Sequence, residues 1–206
     1  MNDDSKQEPA NFEFTREFLK TAQSHIKKYP KNRQSSAVMP LLDLAQRQNG
    51  GWIPKPAINY VANLLGMPSI RVLEVATFYT MYNLEPIGQF HVQVCTNLPC
   101  WLRGSNDVLN SCKKCLGIET GETTDDNLFT LSEVECLGAC VNAPMMQIND
   151  NYYEDLTSET TENILFNLRE GADVKTGSQI GRNSCEPING LTSLQHMKSN
   201  LIVEDG

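Results

Sequence analysis

Apolar positions recur at helical spacing from Leu19 to Tyr79 and at strand spacing from Phe90 onward. Leu19, Ala22 and Ile26 form a first helical stripe that ends before Pro30, because proline cannot continue a helix interior. Val38, Leu41, Leu42 and Ala45 form a second, with Ser35 and Ser36 as cap candidates and Asn49-Gly50-Gly51 as its stop. Pro40 is tolerable there only in the first turn. Ile58, Val61, Ala62 and Leu65 make a third stripe closed by Gly66, and Pro68 opens a fourth through Val72, Val75, Ala76 and Tyr79. Short connections between four striped helices predict a small bundle. After Glu85-Pro86-Ile87-Gly88 the period falls to two. Phe90, Val92 and Val94 alternate with Gln89, His91 and Gln93, a strand running into Cys95. A helix is predicted from about Leu102 to Leu116 and a strand from Leu128 to Val134. Met145 to Ile148 and Tyr152-Tyr153 flank Asn149-Asp150-Asn151 as a hairpin, and a last helix runs from about Ser158 to Arg169. From Gly171 the chain loses all period.

These patterns divide the chain into a disordered leader over 1–14, a helical bundle over 15–84, an α/β domain over 85–171 and an extended C-terminal tail over 172–206. The order β-α-β-β-β-α in the third segment matches a thioredoxin-like sandwich opening with a right-handed βαβ crossover. The aromatic group Phe78, Tyr79 and Tyr82 is expected in the bundle core, and His91, on the polar face of its strand, at a surface or interface.

Composition narrows the function. With 206 residues, 40% hydrophobic and 20% charged, the chain is ordinary for a globular protein. A net charge of −8 and a pI near 4.9 argue against a nucleic-acid binder, which carries a basic stripe. No run approaches the roughly 18 apolar residues a membrane span needs. Met1 to Phe14 carries Asp3, Asp4, Glu8 and Glu13 and no apolar core, unlike a secretory signal or an Arg-rich presequence. The expectation is therefore a bacterial cytoplasmic protein or a processed mature form, the first favoured because Met1 is present. In a reducing compartment the seven cysteines read as metal ligands or buried thiols.

Two cysteine pairs carry the chemistry. Cys95-Thr96-Asn97-Leu98-Pro99-Cys100 is C-x4-C directly after one strand, and Cys136-Leu137-Gly138-Ala139-Cys140 is C-x3-C directly after another. If both strands belong to one parallel βαβ unit, four thiolates leave the same edge of the sheet. A [2Fe–2S] rhomb takes two thiolates per iron, so one loop per iron is a natural division. A structural zinc site and simple buried thiols remain as alternatives. No histidine lies near either pair, since His25, His91 and His196 are elsewhere, which favours the cluster over a Rieske-type centre. Gly138 allows a positive φ that brings backbone N–H groups toward sulfur, and Pro99 stiffens the first loop. Trp101 is expected to pack over the site. Cys112-Lys113-Lys114-Cys115 has the spacing of a redox dithiol but falls at a helix C-terminus, where the dipole disfavours a thiolate. It is read as incidental, as is Cys185. No nucleotide-binding or hydrolase motif occurs.

The run from Cys95 to Gly104 and the run Val134-Glu135-Cys136-Leu137-Gly138-Ala139-Cys140-Val141-Asn142-Ala143-Pro144 resemble the thioredoxin-like [2Fe–2S] subunit of respiratory complex I, the E subunit of the bacterial enzyme. Leu41 to Gln48 and Glu74 to Met81 resemble that family's helical region, and Gly181 to Pro187 its mitochondrial and alphaproteobacterial tails. The likeness spans roughly Phe12 to Leu194. It departs at Asn97-Leu98, where the family usually has Thr nearby, and at Cys115, where Lys or Ala is common. The resemblance implies one [2Fe–2S] cluster on Cys95, Cys100, Cys136 and Cys140. It also implies a larger neighbouring subunit that holds FMN and NADH, further peripheral-arm subunits, and a place on the cytoplasmic side of a bacterial inner membrane or the matrix side in mitochondria. Related chains occur in soluble NAD-linked hydrogenases and formate dehydrogenases, which is one alternative. A zinc-stabilised interaction module is the alternative from another class.

Overall fold

The computed structural model describes residues 8–190 and 192–193. It divides into two compact units, one ending at Gln89 and the other beginning at Phe90.

The first unit contains α1 (Arg16–Lys27), α2 (Val38–Gln48), α3 (Lys55–Leu65) and α4 (Ser69–Phe78). Its core is the set of stripes legible in the sequence, with Ala22, Leu41, Leu42, Ala45, Val61, Ala62, Val72 and Ala76 buried together. Thr15 caps α1 by accepting from Phe18 N. A 3₁₀ turn over Gln34–Ala37 leads straight into α2 and neither Ser35 nor Ser36 caps it. Pro40 lies in the first turn of α2. Gly66 closes α3 at φ +64°, with Met67 N donating back to Ala62 O, a left-handed cap that glycine adopts without a Cβ penalty.

Two sequence expectations fail in this unit. Of the expected leader, residues 1–7 lie outside the described residues, but Phe12 and Phe14 pack edge-to-face on Tyr60. Gln48 also brackets the segment, accepting from Thr15 N and donating to Glu13 O. Packing therefore begins before residue 15. Of the aromatic group, only Tyr82 is buried, its hydroxyl donating to Met39 O at 2.9 Å. Phe78 is 76% exposed, because α4 ends there and Tyr79 turns to extended backbone.

The second unit contains β1 (Phe90–Cys95), α5 (Leu98–Leu102), α6 (Ser105–Leu116), β2 (Phe129–Val134), β3 (Met146–Ile148), β4 (Asn151–Glu154), α7 (Ser158–Arg169) and β5 (Gly177–Ser178). The sheet order is β2-β1-β3-β4-β5. β1 and β2 are parallel, β3 is antiparallel to both β1 and β4, and β5 is parallel to β4. This is the expected α/β architecture with its βαβ opening. Val92, Val94, Phe129, Leu131, Met146, Ile148 and Tyr153 meet Val108, Cys112, Ile164 and Leu165 in one core. Both long helices thus cover the face carrying these residues, and alternation puts His91, Gln93, Thr130 and Ser132 on the other. His91 is nonetheless buried, with Nε2 2.8 Å from Ser132 Oγ, and burial lowers its pKa. Its expected surface position is corrected by that side-chain partner across the strand pair.

The helix expected from Leu102 is broken: Gly104, at φ +95°, separates α5 from α6. The tail is also more structured than its composition suggests. β5 pairs with β4, and Arg182 forms an ion pair with Asp155 whose side chains are 8% and 4% exposed. Ser178 donates to the same carboxylate at 2.7 Å. Residue 191 and residues 194–206 lie outside the described set.

Candidate metal centre

β1 and β2 end in register, Cys95 beside Val134. Parallel pairing therefore delivers both cysteine loops to one edge of the sheet. Beyond Cys95, Asn97 caps α5 by accepting from Leu98 N, and the short helix returns Cys100 to the interior. Beyond Val134, Cys136 is followed by Gly138 at φ +87°, and Cys140 opens a 3₁₀ turn over Cys140–Asn142. The structure thus places both predicted cysteine pairs at one edge of the sheet. Cys95 and Cys100 are buried, and Cys136 and Cys140 are exposed with their Sγ atoms 3.3 Å apart.

The thiols interact as one electrostatic group. Burial pushes Cys100 up to about 12, reinforced by its hydrogen bond with Cys95 and opposed by the backbone N–H of Met145. Cys136 is held below the ordinary thiol range because Gly138 N donates to its Sγ at 3.4 Å and Cys140 shares a further hydrogen bond. Cys140 is raised, first by that bond to Cys136, and the charge of Cys95 acts on it too. Among the described residues no three such groups are gathered around one point at single-ion range, so the thiols stand as two neighbouring pairs.

The surroundings suit a soft, electron-rich guest. Ala143, Met145, Leu137, Ala139 and Tyr152 pack around Cys95 and Cys100. The Tyr152 hydroxyl donates to Leu137 O at 2.8 Å and ties the second loop to β4. A donor set of four thiols without imidazole or carboxylate selects soft metals and iron–sulfur clusters, and backbone N–H groups aimed at sulfur tune such a cluster. The residues present fit a [2Fe–2S] group.

Other cysteines stay apart. Cys112 and Cys115 sit toward the C-terminal end of α6, Cys115 in its last turn. Burial drives the Cys112 thiol up to about 12 and raises Cys115, so neither is poised as a thiolate. Cys185 is exposed on the tail. Trp101, expected to pack over the site, is 54% exposed, because one helical step of about 100° from an inward Cys100 points outward.

Sequence reasoning missed the groups that join the two loops. Thr96 Oγ1 donates to Glu133 Oε1 at 2.6 Å, and Asn97 Nδ2 donates to the Glu135 carboxylate. Their only sequence signal is polarity at positions flanking Cys95 and Cys136.

The family model for thioredoxin-like [2Fe-2S] ferredoxin matches residues 22–169. The chain is 61% identical over 159 residues to the NADH-quinone oxidoreductase E subunit of Rickettsia conorii, spanning 77% of this chain and 95% of that one. It is 54% identical over 183 residues to the mitochondrial NADH dehydrogenase [ubiquinone] flavoprotein 2 of Dictyostelium discoideum, spanning 89% and 74%. Among solved structures, an NAD+-reducing [NiFe]-hydrogenase in the air-oxidised state superposes with a TM-score of 0.56 at 16% identity, over 64% of this chain and 23% of the hydrogenase chain. That likeness is one of fold alone.

Proposed function

Because the chain belongs to the thioredoxin-like [2Fe-2S] ferredoxin family, we propose that Cys95, Cys100, Cys136 and Cys140 hold one [2Fe–2S] cluster, two thiolates to each iron. The chain is an electron-transfer subunit of NADH:quinone oxidoreductase. It works assembled with other subunits. Among the described residues no helix is long and apolar enough to cross a membrane.

The observation that carries the ligand assignment is the convergence of two cysteine pairs at the carboxyl ends of two parallel strands. When bound, the cluster supplies a one-electron reservoir. The protein's own residues do the rest. Cys95 and Cys100 anchor the group from the buried side, while Cys136 and Cys140 hold it from the solvent side. Gly138 and Met145 direct N–H groups at sulfur, which stabilises thiolate and favours the reduced state. The apolar wall limits water at the inner pair.

The proposed electron partner is the neighbouring subunit that binds FMN and NADH, in a peripheral arm on the cytoplasmic side of a bacterial inner membrane, or the matrix side in a mitochondrion. Metal and sulfide analysis of the purified chain tests the reading. Iron and acid-labile sulfide in equal amounts with a red-brown colour are expected. A colourless protein containing zinc would make the chain a zinc-stabilised module instead. Copurification with the flavin-bearing subunit tests the partner, and its absence from the purified assembly would remove that assignment.

A further inference from the structure

We propose that Asn97 and Glu135 are positioning residues that latch the two ligand loops together, and that Glu135 also holds negative charge beside the cluster. This inference rests on the cluster reading above. The β1–β2 ladder ends at Cys95 beside Val134, with Thr96 N donating to Val134 O at 3.3 Å as a last backbone bond. Beyond it, the two chains must diverge into ligand loops with no ladder to set their separation. Side chains take over there. Thr96 Oγ1 reaches Glu133 at 2.6 Å, and Asn97 Nδ2 reaches the Glu135 carboxylate.

Asn97 has two roles at once. Its Oδ1 accepts from Leu98 N at 2.9 Å and fixes the start of the helix that carries Cys100. Its Nδ2 holds the residue immediately before Cys136. One side chain therefore couples the orientation of one ligand from each loop. The plain alternative is a pair of solvated strand-end contacts with no bearing on the site, since exposed polar contacts contribute little to stability. The latch differs by forecasting a change in cluster release when its donor is lost, and the Glu135 charge adds a separate redox forecast. Fixed negative charge close to a cluster disfavours the added electron and lowers the reduction potential.

The test uses the full, cluster-containing chain, with two readouts: midpoint potential by redox titration, and cluster release to a chelator followed by absorbance. Glu135→Gln keeps an amide oxygen to accept from Asn97 and removes the charge. Its cluster should be released at the wild-type rate and its midpoint should move upward. Asn97→Asp keeps the helix cap and replaces the donor with a second carboxylate, so release should accelerate several-fold. The double variant Asn97→Asp/Glu135→Gln restores a donor–acceptor pair and should return the release rate to wild type. An unmoved midpoint in Glu135→Gln overturns the charge role. Wild-type release in Asn97→Asp, or no rescue in the double variant, overturns the latch. A wild-type chain that binds no [2Fe–2S] cluster would overturn the proposed function itself, a distinguishable outcome.

Discussion

Replacing Arg182 with alanine should release the tail from the α/β unit without dismantling its core. The Arg182 guanidinium and Asp155 carboxylate are almost completely buried, with side chains 8% and 4% exposed. The guanidinium also donates to Val141 O at 3.3 Å and Glu186 O at 3.2 Å. Arg182→Ala leaves the Asp155 carboxylate with Ser178 Oγ and strips donors from both carbonyls. Deleting one partner of a buried pair costs about 3–5 kcal/mol. Here the cost is capped by local opening, since β5 contributes only Gly177–Ser178 and lifting it lets water reach Asp155. The low end, about 3 kcal/mol, is the expected loss, or about a hundredfold fall in protection at about 1.4 kcal/mol per tenfold. Native-state hydrogen exchange with mass spectrometry reads this on peptides covering 177–190, while β1 and β2 serve as internal controls. Asp155→Asn, which keeps one acceptor for the guanidinium, should lose less. Replacing both partners by apolar residues should lose less than Arg182→Ala alone, because no uncompensated charge is left buried. Unchanged protection of 177–190 in Arg182→Ala would show that the tail is held by something else.

Two further outcomes follow from the titrating groups. His91 has its pKa lowered by burial from an ordinary 6.5, so the unfolded chain binds more protons just below that value. Stability should be fully present above about pH 6.5 and fall as the pH drops beneath it; His91→Gln should flatten that slope in denaturant titrations, and an unaltered slope would assign it to other groups. In cluster-free protein, Cys136, lowered by the Gly138 N–H, should be alkylated first by iodoacetamide at neutral pH, with Cys100 and Cys112 (both pushed up to about 12) modified last. Peptide mapping over time reads the order, and early labelling of Cys112 would contradict it.

Much of this architecture is legible in the pattern of the chain, for identifiable reasons. The stripes of α2 and α3 are strongly periodic and bury the residues they mark, such as Leu41, Leu42, Val61 and Ala62. The two cysteine spacings follow strands, so topology alone brings them to one edge. What stays hidden is held by single contacts rather than by period. One glycine at φ +95° splits α5 from α6 inside an otherwise helical run. The Arg182–Asp155 pair, a two-residue strand and the Asn142 Nδ2 bond to Ser184 O at 2.8 Å fix the tail, although none of them changes its composition. Phe12 and Phe14 dock because Tyr60 offers them edges from a distant helix. His91 is buried because Ser132, far along the chain, supplies its partner. At the site, the spacing marks the thiols, but Glu133 and Glu135 look like ordinary surface acids until the fold sets Thr96 and Asn97 against them.

Electron paramagnetic resonance of the dithionite-reduced chain, compared between wild type and single serine variants, tests the ligand assignment most directly. Wild type, Cys112→Ser and Cys115→Ser should give the same signal of one unpaired electron per cluster. Cys136→Ser should lose it or change its shape, because serine replaces a thiolate at one iron. A signal abolished by Cys112→Ser or Cys115→Ser and untouched by Cys136→Ser would place the cluster on other thiols.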